Sequence, residues 1–392
     1  MSDTTVELGR FNGLTLDDPI LGALDENVLD GGITFEDVTE FVFGVSVTRG
    51  RNRDLNRTNA GSVGVQFRNE SRPFDPALPS SQFRRFTFPR LPVRVKTDGS
   101  AVFTGLIDDW NFTYELGGNA VASLVGSDAF SLFARETVDT TAPEELSGER
   151  VDRILDAVKI PWPQLDRDVE TGNATFAADV VEGNALAYLQ AIEESEAGLV
   201  FMDKQGRVAF RQRLFQPATD VITFSDGNGI PYDVVAITYG TDLLANDVTV
   251  TSVEGTATAV DATSRIVYGV TELEIDSLLA SGSLQGLADF ILFRYSEPEY
   301  RVESIGVNLR ALTPSQREDV LALELGDQAN LVFNPGPGGA ISVRNRIIGI
   351  EHDVGIDFHT MRFSLEALPF DFFILDDATF GKLDNTDGVL GF

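Results

Sequence analysis

Only two histidines occur in the 392 residues, His352 and His359, and they flank a turn at Gly355-Ile356-Asp357. A hairpin there would bring them together, and with Asp353 or Asp357 they have the donor types of a metal site. Satisfied surface histidines are the plainer expectation, and no metal ligand is assigned. Neighbouring acids recur at Asp17-Asp18, Asp108-Asp109, Glu144-Glu145, Glu193-Glu194 and Asp376-Asp377. Two carboxylates at a suitable separation hydrolyse glycosides. Adjacent residues on a strand point to opposite faces, however, and 61 acidic residues make adjacency frequent by chance. Asp203-Lys204-Gln205-Gly206 and Asp226-Gly227-Asn228-Gly229 look like calcium-loop openings but lack the spaced acids and closing Glu. Turn chemistry accounts for both. Asn334-Pro335-Gly336-Pro337-Gly338-Gly339 lacks the Gly-Lys-Ser/Thr ending of a phosphate cradle and reads as a hairpin tip that makes contacts.

Cysteine is absent, which excludes disulfides, thiolate metal sites and cysteine nucleophiles. No catalytic residue and no cofactor is expected. The net charge of −31 argues against sequence-specific or broad nucleic-acid binding, which needs clustered Lys and Arg. It suits a surface that DNA passes without sticking, and equally plain solubility. Lysine is confined to Lys96, Lys159, Lys204 and Lys382, a bias that fits either a GC-rich genomic background or a high-salt habitat. No apolar run approaches the roughly 20 residues of a membrane span, so no membrane insertion is expected. Synthesis in the cytoplasm is the expectation from a start without a basic, apolar leader.

The elements that position these residues are mainly strands. Phe41–Val47, Ala60–Phe67, Leu91–Lys96, Ala101–Ile107 and Ala120–Gly126 alternate or run apolar between turns, with Asp98-Gly99 supplying a tight hairpin. Helical spacing follows at Val151, Ile154, Leu155 and Val158, and again at Leu186, Leu189 and Ile192 behind an Asn184 cap. A hairpin then runs from Leu199 to Phe210. Strand patterns return at Asn246–Thr251, Arg301–Leu309, Gln328–Phe333, Ile341–Arg344, Arg346–Ile350 and Met361–Leu365, around a helical stretch with Leu278, Leu287 and Ile291. The fold class is thus mainly β with α+β insertions. Expected boundaries are an arm at 1–32, a first β-rich unit (a barrel or sandwich) at 33–135, an α+β domain at 136–229, a second β-rich unit at 230–368 with a helical insertion at about 272–300, and an arm at 369–392.

The two arms share a pattern. Leu16, Asp17, Asp18, Gly22, Leu24 and Asp25 recur at the same offsets as Leu375, Asp376, Asp377, Gly381, Leu383 and Asp384. A duplicated docking peptide is one reading, and coincidence in an Asp/Leu/Gly-rich chain is the other. Phe373 and Phe380 lie in an arm with no core of its own, which suggests that they anchor it on another surface.

Several stretches together resemble the hub, or minor tail, proteins of long-tailed bacterial or archaeal viruses. They are Phe67-Arg68-Asn69 through Phe74-Asp75-Pro76, Phe103-Thr104-Gly105-Leu106-Ile107, Glu196-Ala197-Gly198 before a hairpin, Tyr239-Gly240-Thr241-Asp242 with Asn246-Asp247, and Arg294-Tyr295-Ser296-Glu297-Pro298. Each is weak alone; their order spans roughly residues 33–368. The resemblance implies two barrel-like hub domains per chain flanking a small α+β domain, a homotrimer, and a place in the virion at the tail tip. The partners it implies are tube-end proteins, the tape-measure terminus and other tail-tip subunits. It also implies adaptation of a sixfold tube to threefold tip components, lining or closing the DNA channel. A virion-associated wall hydrolase and a receptor-binding adhesin are the alternatives.

Overall fold

A computed structural model describes residues 4–11, 33–53, 55–213, 215, 221–298, 300–337 and 339–368, with the short pieces 371–372 and 388–389. The chain starts as a strand. β1 (Thr4–Phe11) is followed by β2 (Ile33–Asp37), β3 (Val42–Gly50), β4 (Ser62–Arg68), β5 (Pro92–Thr97), β6 (Ser100–Tyr114) and β7 (Ala120–Ser127). Residues 4–11 are therefore not part of an irregular arm. Val6 and Leu8 are buried, and β1 pairs with β5 from Thr4↔Thr97 to Leu8↔Val93, so the apolar alternation there closes a core.

A mixed region follows: α1 (Phe130–Phe133), β8 (Thr137–Ala142), β9 (Glu145–Leu146), α2 (Ser147–Ala157), β10 (Arg167–Val169), β11 (Thr175–Phe176), β12 (Asp179–Asn184), α3 (Ala185–Glu196), β13 (Leu199–Met202) and β14 (Val208–Arg211). Asn184 caps α3 by accepting from the Ala187 amide at 2.9 Å, as its position before an apolar-periodic run predicts. The remainder is β15 (Ile222–Ser225), β16 (Val234–Tyr239), β17 (Asp247–Ser252), β18 (Gly255–Val260), α4 (Ala262–Tyr268), β19 (Glu272–Asp276), α5 (Ser281–Tyr295), β20 (Tyr300–Asn308), α6 (Pro314–Ala322), β21 (Gln328–Phe333), β22 (Ile341–Gly355) and β23 (His359–Ala367).

The two β-rich regions are one sheet. Its path runs β2-β1-β5-β6-β7-β4-β3-β22-β23-β20-β16, with β21 and β15 attached beside β22. The seam is the antiparallel pair β3–β22, in register from Gly50↔Gly349 to Gly44↔Gly355. One apolar core runs beneath both halves, including Val47, Val65, Phe103, Ile350 and Phe363. The motif at Asn69 serves this core. The buried Asn69 side chain accepts from the Phe74 amide at 3.2 Å, which turns Phe74 inward to lie 5.0 Å from Phe83 and 4.6 Å from Phe67.

A second core joins α2, α3 and the small β13–β14 sheet to residues 245–295, through Ile154, Leu189, Phe210, Val250, Leu287 and Ile291. The insertion in the last region is therefore larger than 272–300. It takes in β17, β18, α4 and β19 as well as α5, and it shares the core of the α+β region. The physical reason is that Val248 and Val250 of β17 are matched by Leu284, Leu287 and Ile291 of α5, a two-layer unit whose remaining apolar surface faces α3.

Two glycines test the seam and its surroundings. Gly50 has φ +83°, and a Cβ there would sit 2.3 Å from the Ile348 carbonyl oxygen; Gly99 has φ +81° with open space around it. Gly99→Ala should cost about 1 kcal/mol from backbone strain alone. Gly50→Ala should cost distinctly more, read as the difference between the two variants' urea midpoints.

Candidate functional site

The seam gives the long sheet a solvent face that both halves share. Val45, Val47 and Arg49 of β3 point inward, so Ser46 and Thr48 point out; on β4, Val63, Val65 and Phe67 are buried, which leaves Ser62, Gly64, Gln66 and Arg68 outward. The registers align these residues into rows. Asp109, Val125, Gly64, Ser46, Asp353 and Thr360 follow one another across six strands. Ser62, Thr48, Glu351 and Arg362 form the neighbouring row. The face is made mostly of small hydroxyl, glycine and amide groups, with Val125, three carboxylates, Arg68 and Arg362 among these named positions and no lysine. At one margin Phe43 adjoins the exposed side chains of Ile356 and Phe358.

At one end of this face, where Glu366 follows Thr360 and Arg362 on the same side of β23, ion pairs tie the units together. Glu366 of β23 is buried, and its carboxylate takes Arg346 of β22 at 2.9 and 3.2 Å, Arg294 of α5 at 3.3 Å and Arg51, just past β3, at 3.5 Å. Arg51 also reaches Glu193 of α3 at 3.4 Å. Burial alone would raise the Glu366 pKa; Arg346, Arg294 and Arg51 overcome it and hold the group down at about 2. Glu193 goes the other way. Burial raises it despite Arg51 and two hydrogen bonds from Thr58, at 3.0 and 2.5 Å. Both halves of the sheet, the α+β region and the insertion thus meet at one charge knot. A cavity of about 90 Å³ adjoins it, walled by Arg51, Glu193, Ile275, Phe290, Tyr295 and Glu366.

The histidines correct an expectation. They do share the β22–β23 hairpin, near the Val354↔His359 pair, but both are buried rather than on the surface. His352 Nδ1 lies 3.2 Å from His359 Nε2. Burial, then Arg310 and Arg317, lower the His359 pKa to about 4; burial, then His359, Arg49 and Lys204, hold His352 well below its ordinary value. The inward-facing parity of β22, which also buries Ile350 and Val354, puts His352 on the core side. Among the described residues no group of three or more His, Asp or Glu is placed to hold a metal ion, and no helix is long and apolar enough to cross a membrane.

The acidic pairs divide between partners. Asp108 takes Ser127 at 2.6 Å while Asp109 faces solvent. Glu145 is buried against Arg150 and Arg153 while Glu144 is exposed, and Glu194 meets Arg57 at 2.9 Å. Asp203 closes a turn by accepting from the amides of Gln205 and Arg207. Lys204 reaches the carbonyls of Leu321 and Ala322 at the end of α6, at 2.8 and 2.7 Å. Asp226 accepts from the Asn334 amide at 2.8 Å, and the glycine-rich stretch joins β21 to β22 as a hairpin tip. In the Glu196-Ala197-Gly198 motif, Glu196 accepts from Ser147 Oγ at 2.7 Å, and a Cβ on Gly198 would stand 2.4 Å from the Arg211 carbonyl. The proposed docking residues Leu16, Asp17, Asp18, Gly22, Leu24, Asp25, Phe373, Leu375, Asp376, Asp377, Phe380, Gly381, Leu383 and Asp384 lie outside the described residues.

Sequence reasoning missed the knot and the shared face. Arg294 stands in a quoted motif and Glu193 in a quoted acidic pair, but neither pattern points to the other, and Arg51, Arg346 and Glu366 carry no local signal. The face was present as alternation in each strand, without anything to show that β3 lies beside β22.

No family model and no curated protein matches this sequence. Solved structures do match it in fold. A 43 kDa tail protein of prophage MuSo2 from Shewanella oneidensis aligns with a TM-score of 0.58 at 12% identity, over 93% of this chain and 97% of that one. A tail protein from Neisseria meningitidis MC58 gives 0.58 at 15%, over 93% and 95%. An E. coli component of the type VI secretion system, itself similar in structure to the T4 bacteriophage tail proteins gp27 and gp5, gives 0.50 at 10%, over 84% and 74%. At such identities the likeness is one of fold. The chain has the mainly β fold of viral tail proteins, in agreement with the resemblance carried by its motifs.

Two variants probe the buried charges. Glu366→Gln leaves three guanidinium groups with a neutral partner and should cost about 3–5 kcal/mol in chemical denaturation at pH 7. His359, with a folded pKa of about 4 below an unfolded value of about 6.5, contributes stability that is complete above the unfolded value. That contribution is lost as pH falls toward the folded value. Between pH 7 and pH 4.5 the unaltered chain should lose about 2–3 kcal/mol more than His359→Gln does, measured by urea titration at each pH.

Proposed function

We propose that the chain is a structural subunit of a viral tail tip, a hub that works by assembly and carries part of the wall of the DNA channel. The observation that supports this best is the shared solvent face of the seam. Two β regions held rigidly edge to edge in one sheet can present a continuous surface to an axis. Three copies would then array six such regions about it, which is how a trimer meets a sixfold tube. The tail fold of the structural neighbours points the same way. Tube-end proteins, the tape-measure terminus and other tip subunits are the partners on this reading, and the virion is its location.

The chemistry of the face suits passage of DNA. Phosphate binding depends on released counterions and on Lys and Arg to replace them. Ser46, Thr48, Ser62, Gly64 and Gln66 offer no cation, and Arg362 stands beside Glu351 in the register. Non-adhesion here rests on small neutral groups together with a slight excess of acid, Asp109, Glu351 and Asp353 against Arg68 and Arg362. The many arginines are drawn into ion pairs such as those at Glu366, Glu145 and Glu324.

Mass measurement and imaging of the purified protein and of isolated tails test the assembly. Threefold particles with the β3–β22 face inward are expected, and a stable monomer with no affinity for tail components overturns the hub. Ser46→Lys with Gln66→Lys should leave assembly intact and slow genome release; release at the original rate would remove this face from the channel.

A further inference from the structure

The insertion carries a helix that is held in place the wrong way round. An ordinary surface helix buries its apolar stripe and exposes its polar side. In α4 only Ser264 is buried, while Ile266 is 86% and Val267 62% exposed, with Val270 just beyond at 60%. Polar contacts do the holding. The buried Asn246 side chain donates to Ser264 Oγ at 3.0 Å and to the Gly269 carbonyl at 2.7 Å, and accepts from the Thr271 amide at 2.8 Å. Its own carbonyl accepts from the Asp261 amide at 3.0 Å. Asp261 caps the helix by accepting from the Ser264 amide at 2.9 Å, Ser264 Oγ donates to the Ser296 carbonyl, and Arg265 pairs with Asp247. A segment so tethered presents its aliphatic side chains in a fixed arrangement, with little entropy left to lose on contact.

We propose that this apolar knob, built from Ile266, Val267 and Val270, docks into an apolar socket rimmed by Lys or Arg on a different protein. The charge around it selects the occupant. Residues 246–276 contain Asp247, Glu254, Asp261, Glu272, Glu274 and Asp276 against Arg265 alone. Glu272 pairs in register with Asp247 at the end of the sheet from which the helix springs, and Glu272 and Glu274 are exposed. A symmetric contact between two copies would set these carboxylates against themselves. A basic-rimmed socket elsewhere on a second copy is disfavoured too, because Arg49, Arg150, Arg213, Arg294 and Arg346 are buried in a chain of net charge −31. An anionic lipid surface is repelled by the same acids. The identity of the partner class rests on the tail reading: it is another component of the assembled particle.

The test places the photo-crosslinker benzoylphenylalanine at position 266, and separately at the fully exposed Leu116 on the β6–β7 turn, in assembled particles. Mass spectrometry then maps the products. The expected result is a cross-link from 266, absent from 116, to another particle protein at an apolar segment flanked by Lys or Arg. A product between two copies of this chain, or no product at 266 in particles that contain the chain, overturns the proposal. Absence of the chain from particles is a separate outcome that overturns the tail reading and this proposal with it. As a second arm, Ile266→Ser with Val267→Ser should lower the cross-linked partner about tenfold per copy of this chain. Glu272→Lys with Glu274→Lys should lower it as well, and an unchanged ratio in both variants overturns the docking role.

Discussion

A carboxylate withdrawn from water must find cations, and in this chain Glu366 finds three. The requirement is severe because an unpaired buried charge costs several kcal/mol. Arg346 comes from the adjacent strand, Arg51 from the end of β3 and Arg294 from the insertion, while Arg51 reaches on to Glu193 of α3. In this arrangement all five groups find opposite charge together. Apolar contact alone would tolerate small slides between them, whereas hydrogen-bonded ions at about 3 Å do not. The knot therefore sets how the α+β region and the insertion sit on the sheet.

The seam depends on this anchoring. β3 and β22 come from sequence regions about three hundred residues apart, and closing so long a loop must be offset by contacts made on arrival. Seven registered pairs, a common core and the neighbouring knot supply them. Once the pair is made, one set of alternating residues becomes interior and the other becomes the shared face. His352 and His359 fall on the interior side, which is why they are neutral packing groups in a hairpin and not ligands at a surface. Gly50 and Gly349, opposite one another at the end of the seam, leave no room for side chains where the backbones converge.

The insertion shows the same division between apolar and polar holding. α5 is fixed by burial of Leu284, Leu287 and Ile291, whereas α4 is fixed by Asn246, Asp261 and Ser264 and leaves its aliphatics outside. Burying those side chains inside the chain would have been the cheaper use of them. Their exposure on a rigid mount is what marks the surface for contact.

Much of this was legible from residues alone. The strands around Val45, Val65 and Val95, the Asp98-Gly99 hairpin and the Asn184 cap follow from alternation, turn chemistry and hydrogen-bonding preference, all of which act over a few residues. The absence of cysteine and the scarcity of histidine narrowed the chemistry for the same reason: composition needs no fold. What the sequence could not show was which strands from distant regions lie side by side. Strand periodicity determines that Ser46 and Val47 face opposite ways, but only the β3–β22 pair decides that Ser46 continues into Asp353 and that His352 is buried. Nor does any local pattern distinguish Glu366 from sixty other acids. Its role comes from three arginines brought to it by tertiary packing, since long-range pairing is fixed by the summed burial of the whole chain and not by the spacing of any segment.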